Sequence, residues 1–384
     1  MLALWRDRRV RDILSQVGVG LALVGLTIWF VLNASANLRQ AGIASGFDFL
    51  GRTSGIEVAF VLTDYTARSS IYDLLVVGVV NTIVVSLLSI VAATLLGFLI
   101  GLARLSRHWL IATVAGVYVE IVRNIPLLVF VFFMYGGVLA ALPSPRESFI
   151  FFGVSALNNR GFTIPVPVDG AMMRSALMAV ALSIAAHIAL SFVSRRRRDA
   201  TGKGLPMGLL GTVFLVVFPL GAVGFATLMS SWDIPQFRGF NFRGGFVLVP
   251  EFVALFLALV TYTAGFIAEI VRGGIASVPK GQLEAARALG LSPMTTLRLV
   301  TVPLALRVIV PPMTSQYLNV LKNSSFGAAI AYPEVVSLFM GSALVATGQA
   351  VEIIAITLAI YLAIGLAVSA FMNWYNAGVA LVTR

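Results

Sequence analysis

The fold is decided by residues 262–303, YTAGFIAEIVRGGIASVPKGQLEAARALGLSPMTTLRLVTVP. The stretch begins inside an apolar run, leaves it at Arg272 and re-enters one after Pro303. Ser277 predicts a helix N-cap, with Pro279 in the first turn, where a missing N–H does no harm. Residues 282–289 are Ala-rich and favour a helix. Gly290 suits the left-handed residue that ends a helix. Ser292-Pro293 predicts a second start, with a helix through Leu299. The reading is two short helices at a membrane surface, angled by Gly290. Ala285, Ala286 and Ala288 let another protein approach the backbone closely. Glu284 and Arg287 stand three apart and can pair or reach a partner. Taken alone, the stretch also fits an amphipathic interfacial helix.

Working outward, the 384 residues are 59% hydrophobic and 11% charged, with a mean hydropathy of +0.96. That apolar share is far above that of a soluble domain and predicts an all-α polytopic membrane protein. The net charge of +11 lies in short tracts beside apolar runs, where it sets topology rather than binding nucleic acid. Cysteine is absent, and His108 and His187 fall on different segments, so no thiolate or His-ligated metal cluster is expected. Gly202-Lys203 lacks the upstream Gly and the following Ser/Thr of a phosphate-binding loop. Any ATP use must come from another chain. No catalytic residue, metal site or cofactor is expected on this one.

Residues 1–12 carry Arg6, Arg8, Arg9 and Arg11 before an apolar run at 13–32. The run is too long for a signal peptide and predicts a first span with a cytoplasmic start. Residues 33–72 form a polar external segment, with Phe, Leu and Ile at 46–63 that can pack on the membrane surface. A second span at 74–103 holds Asn81, Thr82, Ser86 and Ser89, which allow close helix packing. A third at 109–142 is interrupted at Pro126. Its Glu120 and Arg123 read as an intrahelical ion pair or as a place on the translocation face. Residues 143–170 form a structured external loop or a re-entrant one. Further spans lie at 171–193, closed by Arg195–Arg198 inside, at 205–229 and at 247–274, with an external loop at 232–245. Glu269 and Arg272 repeat the spacing of three. The seventh span, 304–320, contains Pro311-Pro312, whose freed carbonyls need protein or a cavity. Asn323, Ser324 and Ser325 then form a polar break that lines a passage or packs helices. A last span covers 350–375. The count is about eight spans, with both termini inside. The divisions are 1–73, 74–142, 143–246 and 247–384.

Several stretches resemble a known family. Glu284-Ala285-Ala286, three residues, Gly290, nine residues, Val300, one residue and Val302-Pro303 resemble the EAA loop of ABC-importer permease subunits. The spacing is kept; two Val stand where the family has Ile and Leu. Tyr118, Glu120, Arg123, Pro126 and Leu127 are similar to the histidine/glutamine/polar amino-acid branch. So are Ala268-Glu269-Ile270 with Arg272–Ile275, and Leu321-Lys322-Asn323-Ser324-Ser325. The 143–170 insertion resembles the longer general L-amino-acid permeases. The resemblance implies an ABC type I importer permease fold in a bacterial inner membrane, serving L-amino-acid uptake. It implies ATPase coupling through Gln282, Glu284, Ala285, Ala286, Gly290 and Pro303. Glu120, Arg123, Glu269, Arg272, Asn323, Ser324 and Ser325 are the pathway candidates. It also implies partners: a second homologous permease, a cytoplasmic ATPase dimer that holds ATP and Mg, a periplasmic amino-acid-binding protein, and membrane lipids. An ion-coupled secondary transporter is the rival. It would want acids near the bilayer midplane, whereas Glu120 and Glu269 fall near predicted cytoplasmic ends. A lipid-modifying membrane enzyme would need a His, Asp or Cys cluster that is lacking here. A purely structural subunit would leave Asn323–Ser325 without influence on substrate.

Overall fold

The computed structural model describes residues 8–40, 46–168, 170–202 and 204–379. Arg6, Lys203, Arg384 and the chain ends on which the terminal orientation rests lie outside them. The helices, in chain order, are α1 (Arg8–Gln40), α2 (Ile71–Arg104), α3 (Trp109–Asn124), α4 (Leu127–Phe132), α5 (Gly170–Thr201), α6 (Met207–Thr212), α7 (Phe218–Met229), α8 (Pro250–Ala276), α9 (Lys280–Ala288), α10 (Pro293–Thr296), α11 (Val302–Asn323), α12 (Leu344–Thr347) and α13 (Ala350–Val379). Contacts divide the chain into two units, Met1–Met134 with Ala254–Arg384, and Tyr135–Val253.

In the first unit α2 starts on a capping box. Ser70 Oγ accepts the Asp73 N–H (3.1 Å) and Asp73 accepts the Ser70 N–H (2.9 Å), which satisfies donors that the helix cannot. The segment before it does not lie on the membrane surface as expected. Phe49 is fully buried among Ile71, Leu74, Val335, Phe339 and Ile353, and its Gly46 N–H donates to Glu352 (2.8 Å). Protein surface is a better partner than the bilayer for a segment with this many backbone polar groups. Helix α1 runs to Gln40, eight residues past the expected end.

Helix α8 is the centre of this unit. Over half of its most apolar window is buried, against 28% or less for the other candidate spans. It approaches α2 at Gly97-x-x-x-Gly101. A Cβ at Gly97 would sit 2.6 Å from Ile267 Cβ, and one at Gly101 would sit 2.8 Å from Val271 Cβ. Small residues at this spacing let two backbones touch where lipid gives no hydrophobic drive to associate. The buried cluster of Ala93, Ile267, Val271, Val278, Ala305, Ile309 and Met313 then ties α2, α8 and α11 together. Helix α11 continues through Pro311 and Pro312 without a break. Between α3 and α4, Ile125 is extended (φ −97°, ψ 130°) ahead of Pro126 and the chain bends by 107°, as the restriction on residues before proline requires.

The second unit holds a helical hairpin, α5 against α6 and α7, and short strands that the all-α expectation left out. A four-stranded antiparallel sheet has the order β1-β2-β3-β8: β1 is Phe149–Phe151, β2 Ser155–Asn158, β3 Gly161–Ile164 and β8 Phe246–Leu248. Strands β4 (Val166–Pro167) and β5 (Trp232–Asp233) pair, as do β6 (Gln236–Arg238) and β7 (Asn241–Arg243). Strands this short show too few alternations to stand out in a sequence.

Six helices among the described residues are long and apolar enough to cross a membrane, or seven if the bent α3–α4 pair is one span. About eight were expected. The difference is α1, whose apolar part, Ser15–Phe30, is shorter than the other spans.

The α2–α8 contact predicts opposite outcomes for two Gly→Ala changes. At Gly116 an added Cβ meets nothing within 4 Å, so the change should leave or raise the thermal midpoint through helix propensity, worth up to about 1 kcal/mol. Gly97→Ala should lower it, by about 1–3 kcal/mol of overpacking. Equal shifts in thermal unfolding of the purified protein would contradict the close approach.

Candidate functional site

The segment between α8 and α11 is built by three local devices. Helix α8 closes with Ser277, whose N–H donates to Gly273 O (2.9 Å) and whose Oγ donates to Gly274 O (2.8 Å). Ser277 therefore ends one helix rather than capping the next. Pro279 takes the N-cap position of α9 at φ −60°, ψ 133°, since a residue without an N–H loses nothing there. The end of α9 is a Schellman motif. Leu291 N–H donates to Ala286 O (3.1 Å), Gly290 N–H donates to Arg287 O (2.9 Å), and Gly290 has φ +72°. Those bonds absorb carbonyls that the helix end would leave open. Ser292 Oγ then accepts the Thr295 N–H (3.2 Å), with Pro293 at the first helical position.

The second helix does not stop at Leu299. It widens into a π-turn at Leu297–Thr301 and continues as α11. The widening lies just before Pro303, whose ring would crowd the carbonyl four residues back in a regular helix. Pro303 is thus half-buried inside a continuous helical run rather than at a boundary.

Anchors and open positions alternate along α9. Ala286 is buried, and Leu283 and Val278 belong to the α2–α8–α11 core. Gln282, Glu284, Ala285, Arg287 and Gly290 are exposed. So are two large apolar side chains, Leu289 at 79% and Met294 at 71%. Glu284 and Arg287 form no ion pair among the described residues, so both charges stay available. A short helix fixed from beneath, with small residues and unpaired charges above, is a platform that another protein can approach closely.

The membrane-embedded candidates fall into two groups. Glu269 on α8 pairs with Arg104 at the end of α2 and with Arg272, whose Nε lies 3.2 Å from Oε1. Glu120 and Arg123 do not pair with each other as expected. The Arg123 guanidinium lies over the Phe266 ring, 5.4 Å from its centroid, a favourable seat for a cation. Glu120, Arg123 and Glu269 line one cleft of about 400 Å³ with Arg104, Val119, Asn124 and Phe266. Asn323, Ser324 and Ser325 lie outside it. Ser324 is buried and donates to Leu321 O (2.6 Å), while Ser325 donates to Lys322 O (2.7 Å).

The comparisons with known proteins bear on this arrangement. The family described as binding-protein-dependent transport system inner membrane component matches residues 93–381. The chain belongs to that family. It is similar over nearly its whole length to the putative amino-acid ABC transporter permease protein YhdX of Escherichia coli (47% identity, 98% of this chain, 95% of that one). It is similar in the same way to the general L-amino acid transport system permease protein AapQ of Rhizobium johnstonii (45%, 98% and 94%). A third relative is the glutamate/glutamine/aspartate/asparagine transport system permease protein BztB of Rhodobacter capsulatus (37%, 98% and 96%). This chain is therefore a multi-pass inner-membrane permease subunit of an ABC importer. ATP hydrolysis sits on a separate ATPase subunit, and a binding protein supplies the substrate.

The permease also holds a polar cluster that the sequence reading passed over. After α11 the chain tightens into a 3-10 turn, Ser324–Ile330, reverses at Ala331 (φ 59°), and enters a π-helical stretch, Val336–Ala343. Glu334, fully buried, caps that stretch. Its carboxylate accepts the Val336 N–H (2.8 Å), the Ser337 N–H (2.7 Å) and the Tyr361 hydroxyl (3.0 Å). From α2, Asn81 Nδ2 donates to Pro333 O (2.8 Å) and Thr82 Oγ1 accepts the Val335 N–H (3.2 Å). The signal was present in the sequence: a lone acid after a proline, at the start of an apolar run.

The cluster predicts a coupled mutational response. Glu334→Ala strips a partner from three buried donors and should cost several kcal/mol of stability, about 1–3 for each. Tyr361→Phe should cost less. The double variant should cost clearly less than the two summed, because the groups share one network. Additive losses in thermal unfolding would contradict the network.

Proposed function

We propose that this subunit forms the translocation pathway of an ATP-driven importer for L-amino acids, of polar or broad specificity. Its near full-length similarity to permeases named for amino-acid transport supports the substrate class. The observation that carries the coupling role is the α9–α10 platform. Gln282, Glu284, Ala285, Ala286, Gly290 and Pro303 form or shape the surface that receives the ATPase. Schellman geometry at Gly290 fixes the angle between the helices, and Leu289 and Met294 give the contact an apolar centre.

The assembly comprises this chain, a second homologous permease, two copies of the ATPase subunit and a periplasmic amino-acid-binding protein. The platform, the Arg195–Arg198 run and both termini face the cytoplasm; residues 143–170 and 232–245 face outward. Glu120, Arg123, Glu269 and Arg272 border the inner end of the pathway, with Glu269 about 10 Å along α8 from that helix's last residue, Ala276, at about 1.5 Å per residue. Asn323 and Ser325 line it deeper in the membrane, with Ser324 holding the helix turn behind them. ATP binding and hydrolysis bias an equilibrium between inward- and outward-open states by contacts made in only one of them.

Glu284 is exposed, so Glu284→Lys should leave thermal unfolding unchanged. In reconstituted complexes it should lower substrate-stimulated ATPase activity and uptake about tenfold or more, equivalent to about 1.4 kcal/mol of docking free energy. Assembly and uptake at the unsubstituted level would refute the coupling role.

A further inference from the structure

The loop between β1 and β2 carries a strained, exposed aromatic residue. Val154 N–H donates to Phe151 O (3.1 Å), closing a turn whose two central residues both have positive φ, Phe152 at 52° and Gly153 at 73°. Such turns favour Asn or Gly at the first central position. A bulky side chain there is strained, and strain of this kind marks functional positions. Phe152 is 98% exposed, and it continues an exposed run of Phe149, Ile150 and Phe151 on a sheet edge. All three β1 residues are exposed, with the Phe151 ring resting edge-on against Phe162 (centroids 6.0 Å apart).

Strand register places this tip. Phe151 pairs with Ser155, Ala156 with Thr163, and Ile164 with Phe246. The Phe152 tip therefore lies at the Ile164 end of the sheet. From Ile164 the chain passes through β4 straight to Gly170, the start of α5. Strand β4 pairs with β5, which follows the last residue of α7 by three, and Val168 N–H donates to Ser231 O (2.9 Å). At its other end β8 leads within two residues into α8. The tip end of the sheet is thus the end from which the chain enters α5 and to which it returns from α7.

Polarity runs along the hairpin. No charged residue lies between Glu147 and Arg160, and both of these, with Asn158 and Asn159, sit at the end opposite the tip. The α5 and α6–α7 spans, whose ends lie on the tip side of the sheet, leave most of their residues short of full burial, with 11% and 6% of their apolar windows buried. From this geometry we infer that the Phe149–Gly153 tip is a membrane-interface wedge, with Phe152 inserted among the headgroups and upper acyl chains of the leaflet nearest Gly170 and Met229. Aromatic rings are favoured at that depth. The wedge pins the inserted unit to the bilayer, independently of which substrate the importer carries.

The chain has no cysteine, so a single label is unambiguous. Phe152→Cys, carrying an environment-sensitive nitrobenzoxadiazole fluorophore, would be reconstituted in the full complex in nanodiscs of phosphatidylethanolamine and phosphatidylglycerol. Quenching by nitroxide lipids, shallow and deep, would be compared with quenching by aqueous iodide, using Asn159→Cys as the reference. The expected result is blue-shifted emission at 152, severalfold stronger quenching by the shallow nitroxide lipid than by iodide, and the reverse at 159. Iodide quenching at 152 equal to that at 159 would overturn the inference. So would shielding at 152 from both quenchers, with or without added binding protein, since that would mean a protein surface covers the tip. Ile150→Cys serves if the first variant does not assemble. Phe152→Asn in the Ile150→Cys background separates structure from lipid contact. It should keep or raise the thermal midpoint while lipid quenching is lost; retained quenching would also overturn the inference.

Discussion

Inside hydrocarbon a backbone N–H or C=O has no water to turn to, so a chain that leaves helical geometry there must bring its own partners. This permease leaves helical geometry at 331–334, where Tyr332, Pro333 and Glu334 are all buried in protein. Three side chains make that tolerable. Asn81 supplies a donor to Pro333 O, Thr82 an acceptor for Val335 N–H, and Glu334 a carboxylate for the next two N–H groups. Tyr332 returns the contact by donating to Asn81 O (3.1 Å). The break is therefore possible only with α2 beside it, and Gly78 lets the two backbones meet, an added Cβ falling 3.0 Å from Val335 Cα. Helix α2 is thereby joined to the break near its start and to α8 at Gly97 and Gly101. One long helix links the interior turn to the helix that leads into the α9–α10 platform.

That continuity gives a physical route between the two ends of the subunit. Residues 280–301 are not a loop hung on flexible joints. Val278 and Leu283 are part of the core shared by α8 and α11, and the second helix of the segment runs unbroken into α11. The platform is thus continuous with α11, and α11 leads through the 3-10 turn Ser324–Ile330 to the break that Asn81, Thr82 and Glu334 hold. Rigid elements with discrete packings, rather than gradual deformation, are how displacements are carried in switching proteins.

Much of this was legible from the sequence, and the failures have physical reasons. The platform was legible because its signals are local: Gly290 for a left-handed residue, Ser292-Pro293 for a helix start. The error at Ser277 was one of competing local options, since a Ser can cap the next helix or bond back to the last turn. The expected Glu120–Arg123 pair failed because the Phe266 ring, on another helix, offered Arg123 a different seat. Spacing along one helix cannot report that. Glu334 escaped notice because its three donors come from its own turn and from Tyr361, 27 residues on. Phe49 was read as surface because its partners, Val335 and Phe339, are nearly 300 residues away. The short strands were hidden because two to four residues carry almost no periodicity.

The central claim is that the α9–α10 platform seats the ATPase, and Leu289 is its most exposed large apolar side chain. A photoactivatable cross-linker on Leu289→Cys in the otherwise cysteine-free chain tests it in the assembled complex. The account predicts that irradiation joins this chain to the nucleotide-binding subunit, with a yield that changes between the ATP-bound and nucleotide-free states. Cross-links to lipid alone, or to the substrate-binding protein, would contradict it.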